Sequence, residues 1–280
     1  MSAEVLKGIE VAKAINEGIA EKVRNLDGYI PRLAIVRVGE KADDIAYEKG
    51  AVKKMEKLGL EYTLYTYPED ITNERFQNEF DRINRDNEID GILLLRPLPK
   101  HIDEEAAAAR IDPFKDLDGI SPINMAKVYA GDESGYAPCT AEAVIETLEH
   151  AGIDLTGKNV TVVGRSLVIG KPVSMLLIKK NATITICHTR TKNIEEKCRN
   201  ADIIVAAAGS KRMIQAGYVS EGAVVIDVGI NDDGDGGICG DVDFDAVSQK
   251  ASLITPVPGG VGSVTTSVLA KHLLRAAHIR

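Results

Sequence analysis

Three short stretches of this sequence carry residue types suited to a phosphate and a flat ring. Thr255-Pro256-Val257-Pro258-Gly259-Gly260-Val261-Gly262 lies between an apolar run, 251–254, and a helix-like segment that begins near 263. Proline fixes φ, and glycine lets backbone approach a ligand with no Cβ in the way. A turn that is rigid and then permissive, at the end of a strand, holds a ring or a phosphate well. It also serves as a plain connection, and turn statistics alone do not separate the two readings. Gly164-Arg165-Ser166-Leu167-Val168-Ile169-Gly170-Lys171-Pro172 follows a strand and opens a helix, which is where a doubly wound fold keeps its dinucleotide turn. Its spacing is not G-x-G-x-x-G. Arg165 and Ser166 suit a phosphate, and a guanidinium there favours a 2′-phosphate, hence NADP over NAD; a solvated arginine in an ordinary loop is the alternative. His188, Thr189, Arg190 and Lys192 follow the next strand, at the ribose end of such a site, with no acid to take a 2′-hydroxyl. A metal at Cys187-His188 lacks further ligands at suitable spacing.

The elements that must position these residues fall into two alternating series. In the first, helical periodicity over 9–25 leads to a strand at 32–38, a helix at 43–58 with Asp43 or Asp44 near its start, and a strand at 60–66. A helix over about 72–87, capped by Thr72, precedes the buried-strand run 90–95. Between about 100 and 140 the pattern is less regular; 115–119 and 135–140 read as loops, with Thr140 capping a helix at about 141–152. The second series has strands at 159–163, 182–187, 203–207 and 223–228, with helices at 171–179 and 194–200. A glycine-rich acidic turn spans 234–240. Such alternation implies parallel strands with helical crossovers. The expectation is an α/β chain of two domains: 1–140, with the C-terminal helix 263–280 packing back on it, and a Rossmann-like domain at 141–262.

Composition removes several function classes. The 280 residues carry a net charge of −8, which argues against nucleic acid as the main partner. Trp is absent and Phe is scarce, so stacking platforms for single strands are not expected. The four cysteines match no zinc or disulfide spacing, which suggests free thiols in a reducing cytoplasm. Neither a signal pattern nor an apolar run of about 18 residues occurs, so no membrane span is expected.

Together, GRSLVIGKP, the strand-end CHT, VIDVGIN (225–231), GDV (240–242) and TPVPGGVG resemble the methylenetetrahydrofolate dehydrogenase/cyclohydrolase family. So do KDLDGI (115–120) and PCT (138–140), and the resemblance runs from about residue 5 to 277. It implies an N-terminal folate-binding domain, an NAD(P) domain, a cleft between them and a homodimer. It implies oxidation of 5,10-methylenetetrahydrofolate to the 5,10-methenyl form, usually followed by hydrolysis to 10-formyltetrahydrofolate. Carried over, Tyr47 packs over the aminobenzoate ring, Asp118 hydrogen-bonds the pterin, and Leu95 and Pro97 line the folate site. Pro258, Gly259 and Gly260 form the loop against folate and nicotinamide. Thr140, Gly164, Arg165, Ser166, His188, Thr189, Arg190 and Ile230 fall on the cofactor side.

Departures from the family pattern concern the second step. The pattern S-x-x-Y-V-x-x-K-x-K places a Lys four residues after the Tyr, on the same helix face. Here Ala51 holds that position, and Asp44 stands for the Ser. In the family's V-Q-L-P-L-P, Leu95 replaces the Gln. That Lys and Gln position and activate water in the cyclohydrolase step, so the expectation is a dehydrogenase with little or no cyclohydrolase activity. The alternatives are a bifunctional enzyme in which Lys49, Lys53 or Arg96 substitutes, and a non-enzymatic folate or nucleotide binder.

Overall fold

A computed structural model describes residues 2–26 and 28–278. In chain order the elements are β1 (Glu4–Val5), α1 (Gly8–Arg24), β2 (Arg32–Val38), α2 (Ala42–Leu58), β3 (Glu61–Tyr67), α3 (Asn73–Arg85) and β4 (Gly91–Leu94). There follow α4 (Glu104–Arg110), α5 (Pro122–Ala130), α6 (Cys139–His150), β5 (Asn159–Val163), α7 (Gly170–Lys179), β6 (Thr183–Cys187), α8 (Ile194–Arg199), β7 (Ile203–Ala206) and β8 (Val224–Asp227). The last are β9 (Asn231–Asp232), β10 (Ile238–Cys239), α9 (Phe244–Val247), β11 (Leu253–Ile254) and α10 (Thr265–His278). Two compact units result: residues through Lys13 with Thr140–Thr265, and Ala14–Cys139 with the residues from Thr266.

The first unit is built on a six-stranded sheet in the order β1-β11-β8-β7-β5-β6, parallel throughout. Its inner strands β5, β7, β8 and β11 are short, mostly buried apolar runs, as strands covered on both faces require, whereas the edge strands β1 and β6 are largely exposed. Ile204, Val225, Val163 and Ile254 form the core with Val247 of α9 and Ala3. The acidic glycine-rich segment is the turn of the antiparallel β9–β10 hairpin. Residues 1–13, expected with the folate domain, belong to this unit among those described. The reason is the parallel pairing of Glu4 and Val5 with Leu253 and Ile254.

The second unit holds the three-stranded parallel sheet β3-β2-β4. A lone parallel bridge from Ile92 to Asp116 lays the 115–117 segment beside β4. Helix α3 covers this sheet with Phe76, Phe80 and Ile83, one turn apart on one face and each at most 1% exposed. Each such side chain contributes about 2 kcal/mol by leaving water. Thr72 caps α3, its Oγ1 accepting from Arg75 N at 3.3 Å. The region 100–140 contains two short helices that the sequence pattern did not reveal. Asp103 and Ser121 cap them, accepting from Ala106 N and Asn124 N. Helix α2 begins at Ala42 after Lys41, with no side-chain cap; Asp43 and Asp44 lie in its first turn, where they favour the helix dipole.

Candidate active site

In the unit built on β3-β2-β4, the loop 115–121 is tied down most heavily at Lys115 and Asp116. Lys115 Nζ donates to Asn84 O at 2.8 Å and Asp86 O at 2.6 Å. Asp116 accepts from Ile120 N at 2.9 Å, Ser121 N at 2.8 Å and Asn124 Nδ2 at 2.9 Å. Asp118, half-buried, accepts from Cys139 N at 2.8 Å. Cys139 is the first residue of α6, so this carboxylate satisfies one of its unpaired N–H groups. Thr140 therefore lies inside the first turn and is not the cap. Burial raises the Asp118 pKa, against the lowering pull of the Cys139 N–H and the charge of Arg96. Arg96 pairs with Glu104 at 3.4 Å, and the same carboxylate accepts from Leu98 N at 2.9 Å. Pro97, between them, is exposed. A carboxylate held this way can accept two parallel N–H donors of a ligand.

Helix α2 places Tyr47, Ala51 and Lys54 at positions i, i+4 and i+7, on one face. Tyr47 is half-buried, Ala51 fully buried and Leu95 7% exposed. Neither Ala51 nor Leu95 has a polar side-chain atom. Lys49 and Lys53 are exposed. Sequence reasoning missed Lys54, whose signal was its spacing of seven from Tyr47. Lys54 Nζ donates to Ser267 Oγ at 2.7 Å and Asn16 Oδ1 at 3.3 Å. Burial, then the charge of Lys57, lowers its pKa. The Arg37–Glu48 ion pair was also missed: it is 2.8 Å long and nearly buried, with Arg37 also donating to Gly39 O.

In the six-stranded unit, the predicted cofactor residues other than Thr140 follow the C-terminal ends of parallel strands, where α/β sheets bind ligands. Gly164 follows β5 and donates to Cys187 O at 2.9 Å. Ser166 Oγ accepts from Ile169 N at 3.1 Å and Gly170 N at 3.5 Å, so it caps the start of α7 and keeps its own proton to donate. Arg165 is exposed beside it. His188, at the end of β6, closes a tight turn: its N–H donates to Thr191 Oγ1 at 2.8 Å, and its Nδ1 accepts from Arg190 N at 3.2 Å. Thr189 and Arg190 are exposed, and Thr140 is partly so. Ile230, after β8, is 65% exposed.

The proline–glycine loop begins at Thr255, whose N–H donates to Val225 O at 3.1 Å. Gly8 N donates to Gly259 O at 2.8 Å. At Gly260 a Cβ would lie 2.3 Å from Pro256 O, so the loop closes only with glycine there. Pro258 and Gly259 face solvent. Among the described residues, no group of three His, Cys, Asp or Glu side chains is placed to hold a metal.

These two sets of residues coincide with two family models. The tetrahydrofolate dehydrogenase/cyclohydrolase catalytic domain matches residues 6–118, and the NAD(P)-binding domain of the same family matches 138–280. The chain belongs to the tetrahydrofolate dehydrogenase/cyclohydrolase family. Among relatives, the bifunctional protein FolD of Clostridioides difficile strain 630 is 50% identical over 279 residues, covering 99% of this chain and 97% of that protein. The crystal structure of the bifunctional FolD of Campylobacter jejuni is 37% identical, with a TM-score of 0.97 over 100% of both chains. The Trypanosoma brucei methylenetetrahydrofolate dehydrogenase-cyclohydrolase, solved with NADP cofactor and an inhibitor, is 35% identical with a TM-score of 0.94, covering 100% of this chain and 99% of that one. The two-domain α/β architecture expected from the dehydrogenase/cyclohydrolase resemblance is the one observed.

Proposed function

We propose that this protein oxidises 5,10-methylenetetrahydrofolate to 5,10-methenyltetrahydrofolate with NADP as hydride acceptor. Asp118 carries this reading: its carboxylate is half-buried and held only through Cys139, by its backbone N–H and side chain, among the described residues, while neighbouring Asp116 is filled by the loop itself. Asp118 orients the pterin through paired N–H donors, and Tyr47 and Pro97 line the folate site as the family resemblance implies. When the dinucleotide is bound, hydride passes from the bridging carbon to nicotinamide C4, and the neighbouring nitrogen lone pairs stabilise the cation left behind. The protein's task is then alignment, which needs no strong acid or base. Arg165 and the hydroxyl of Ser166, exposed where α7 begins, fit a phosphate of the dinucleotide, and Arg190, after the adjacent strand β6, adds positive charge at the same edge of the sheet. The Trypanosoma relative solved with NADP supports the same choice, with NAD as the alternative.

The relatives' names favour a bifunctional enzyme that also hydrolyses the methenyl product. One observation favours a dehydrogenase without that step: Ala51 and Leu95 are buried apolar residues where the family keeps Lys and Gln. If hydrolysis occurs, Lys54 is the ammonium on the right helix face, with a pKa already lowered by burial. A spectral assay separates the readings. Methenyl product that persists as long as in buffer supports the dehydrogenase alone. Enzyme-dependent disappearance supports the bifunctional enzyme, and Lys54→Met should then abolish it while sparing oxidation. Folate binding without turnover of NADP or NAD would leave only a binding protein.

A homodimer fits β6, an edge strand of the six-stranded sheet whose Ile186 is exposed, as is Ile178 of α7. Four free, buried thiols fit a reducing cytoplasm. Among the described residues no helix is long and apolar enough to cross a membrane.

A further inference from the structure

Two carboxylates in the six-stranded unit lie outside everything assigned above. Asp227 ends β8 and Asp241 follows β10; they are 3% and 0% exposed. Asp241 Oδ2 accepts from Ala208 N at 2.6 Å and Gly209 N at 3.0 Å. Its Oδ1 accepts from Ser210 N at 2.7 Å and Asn231 Nδ2 at 2.9 Å. Asp227 accepts from Gly229 N, Asp241 N and Val242 N, each at 3.0 Å, and its own N–H donates to Thr255 Oγ1 at 2.8 Å. A Cβ on Gly240 would sit 1.8 Å from Asp227 Oδ2, so only glycine lets this segment come so close.

The pair thus joins four segments: 208–210 after β7, 229–231 after β8, 240–242, and the head of the proline–glycine loop after β11. Three of them leave C-terminal ends of neighbouring parallel strands, the edge where such sheets bind dinucleotides. The N–H groups of 208–210 are consumed by Asp241, so they do not serve a phosphate. What the arrangement presents outward is Ile230. Its two neighbours, Gly229 and Asn231, are held by Asp227 and Asp241 respectively, while its own apolar side chain stays 65% exposed. A large apolar side chain fixed on both sides and left in solvent suits the face of a bound ring.

We propose that Asp241 is a positioning residue for the dinucleotide: by tying 208–210 to Asn231 it fixes Ile230 as an apolar wall of the cofactor site. This rests on the dinucleotide reading of the unit. Calorimetric titration of the full-length protein with NADP, and separately with the folate substrate, tests it. Asp241→Ala should weaken NADP binding about tenfold, raising its KM in step, while folate binding stays within about twofold. A purely structural role would lower thermal stability and the active fraction but leave the Kd of folded molecules unchanged, and that result would overturn the proposal. Should Asp241→Ala not fold, Asn231→Ala decides, because it leaves the carboxylate on its three backbone N–H groups. It should weaken NADP about fivefold, and unchanged affinity sinks the idea. Wild-type protein that binds neither NADP nor NAD would remove the dinucleotide reading and this inference with it.

Discussion

In the six-stranded unit Asp227 and Asp241 each accept three backbone N–H groups and are almost wholly buried; in the other unit Asp118 accepts one and is half-exposed. The contrast recurs within three residues, since Asp116 also accepts two backbone N–H groups and an amide. A carboxylate whose lone pairs the protein fills is a brace. One left partly unfilled, at the cost of burial, is available to a ligand. Residue type does not separate the two; the count of internal donors does.

The sharpest way to break this comparison is to neutralise both members of the loop. Asp118→Asn should lower kcat/KM for methylenetetrahydrofolate by about 100-fold, with melting temperature nearly unchanged, because a charge-assisted contact to substrate is lost. Asp116→Asn should do the reverse, lowering melting temperature while the folate KM holds. Steady-state kinetics beside thermal melts reads both, and equal kinetic losses would defeat the distinction. A second test uses a charge pair that no ligand is expected to need. Glu48→Gln leaves the nearly buried Arg37 guanidinium uncompensated and should cost about 3 kcal/mol in denaturant unfolding, whereas Glu48→Leu with Arg37→Met should recover most of it. A third test is pH-dependent. Burial, opposed by its three N–H donors and reinforced by Asp241, pushes Asp227 up to about 7. A carboxyl raised above its unfolded value near 3.9 binds more protons when folded. Its stability contribution is therefore complete below about pH 4 and lost as pH rises through about 7, at up to about 1.4 kcal/mol per unit. Asp227→Asn should flatten that slope in melts across the same window.

The strands of the second series are legible because each is a compact β-branched run between turn residues, and the sequence pattern predicts Asn159–Val163 to the residue. Asp118 and the proline–glycine loop were legible as motifs. What escaped depended on partners far away in sequence. β1 is two residues long and shows no alternation; only its pairing with β11 makes it a strand. Helices α4 and α5 are short enough that their caps, Asp103 and Ser121, matter more than any periodicity. Thr140 has the type and place of a cap for α6, yet the carboxylate of Asp118, distant in sequence, satisfies Cys139 N. Arg37 with Glu48, and Lys54 with Ser267, likewise needed the packing of α2 before they could be seen.

The pairing of β1 with β11 bears on how such a chain is made. Glu4 meets Leu253, and Gly8 meets Gly259. Residues 4–8 thus find their sheet neighbours only once the chain through residue 259 has been made. Until then the edge of β8 that β11 will cover has no partner, and the proline–glycine loop does not yet exist. Closing so long a loop adds little entropy beyond that of a moderate one, but it sets an order of events. The three-stranded sheet β3-β2-β4 needs only residues 32–94 and is free to form early. The proline–glycine loop, by contrast, waits on two segments that lie far apart in the sequence.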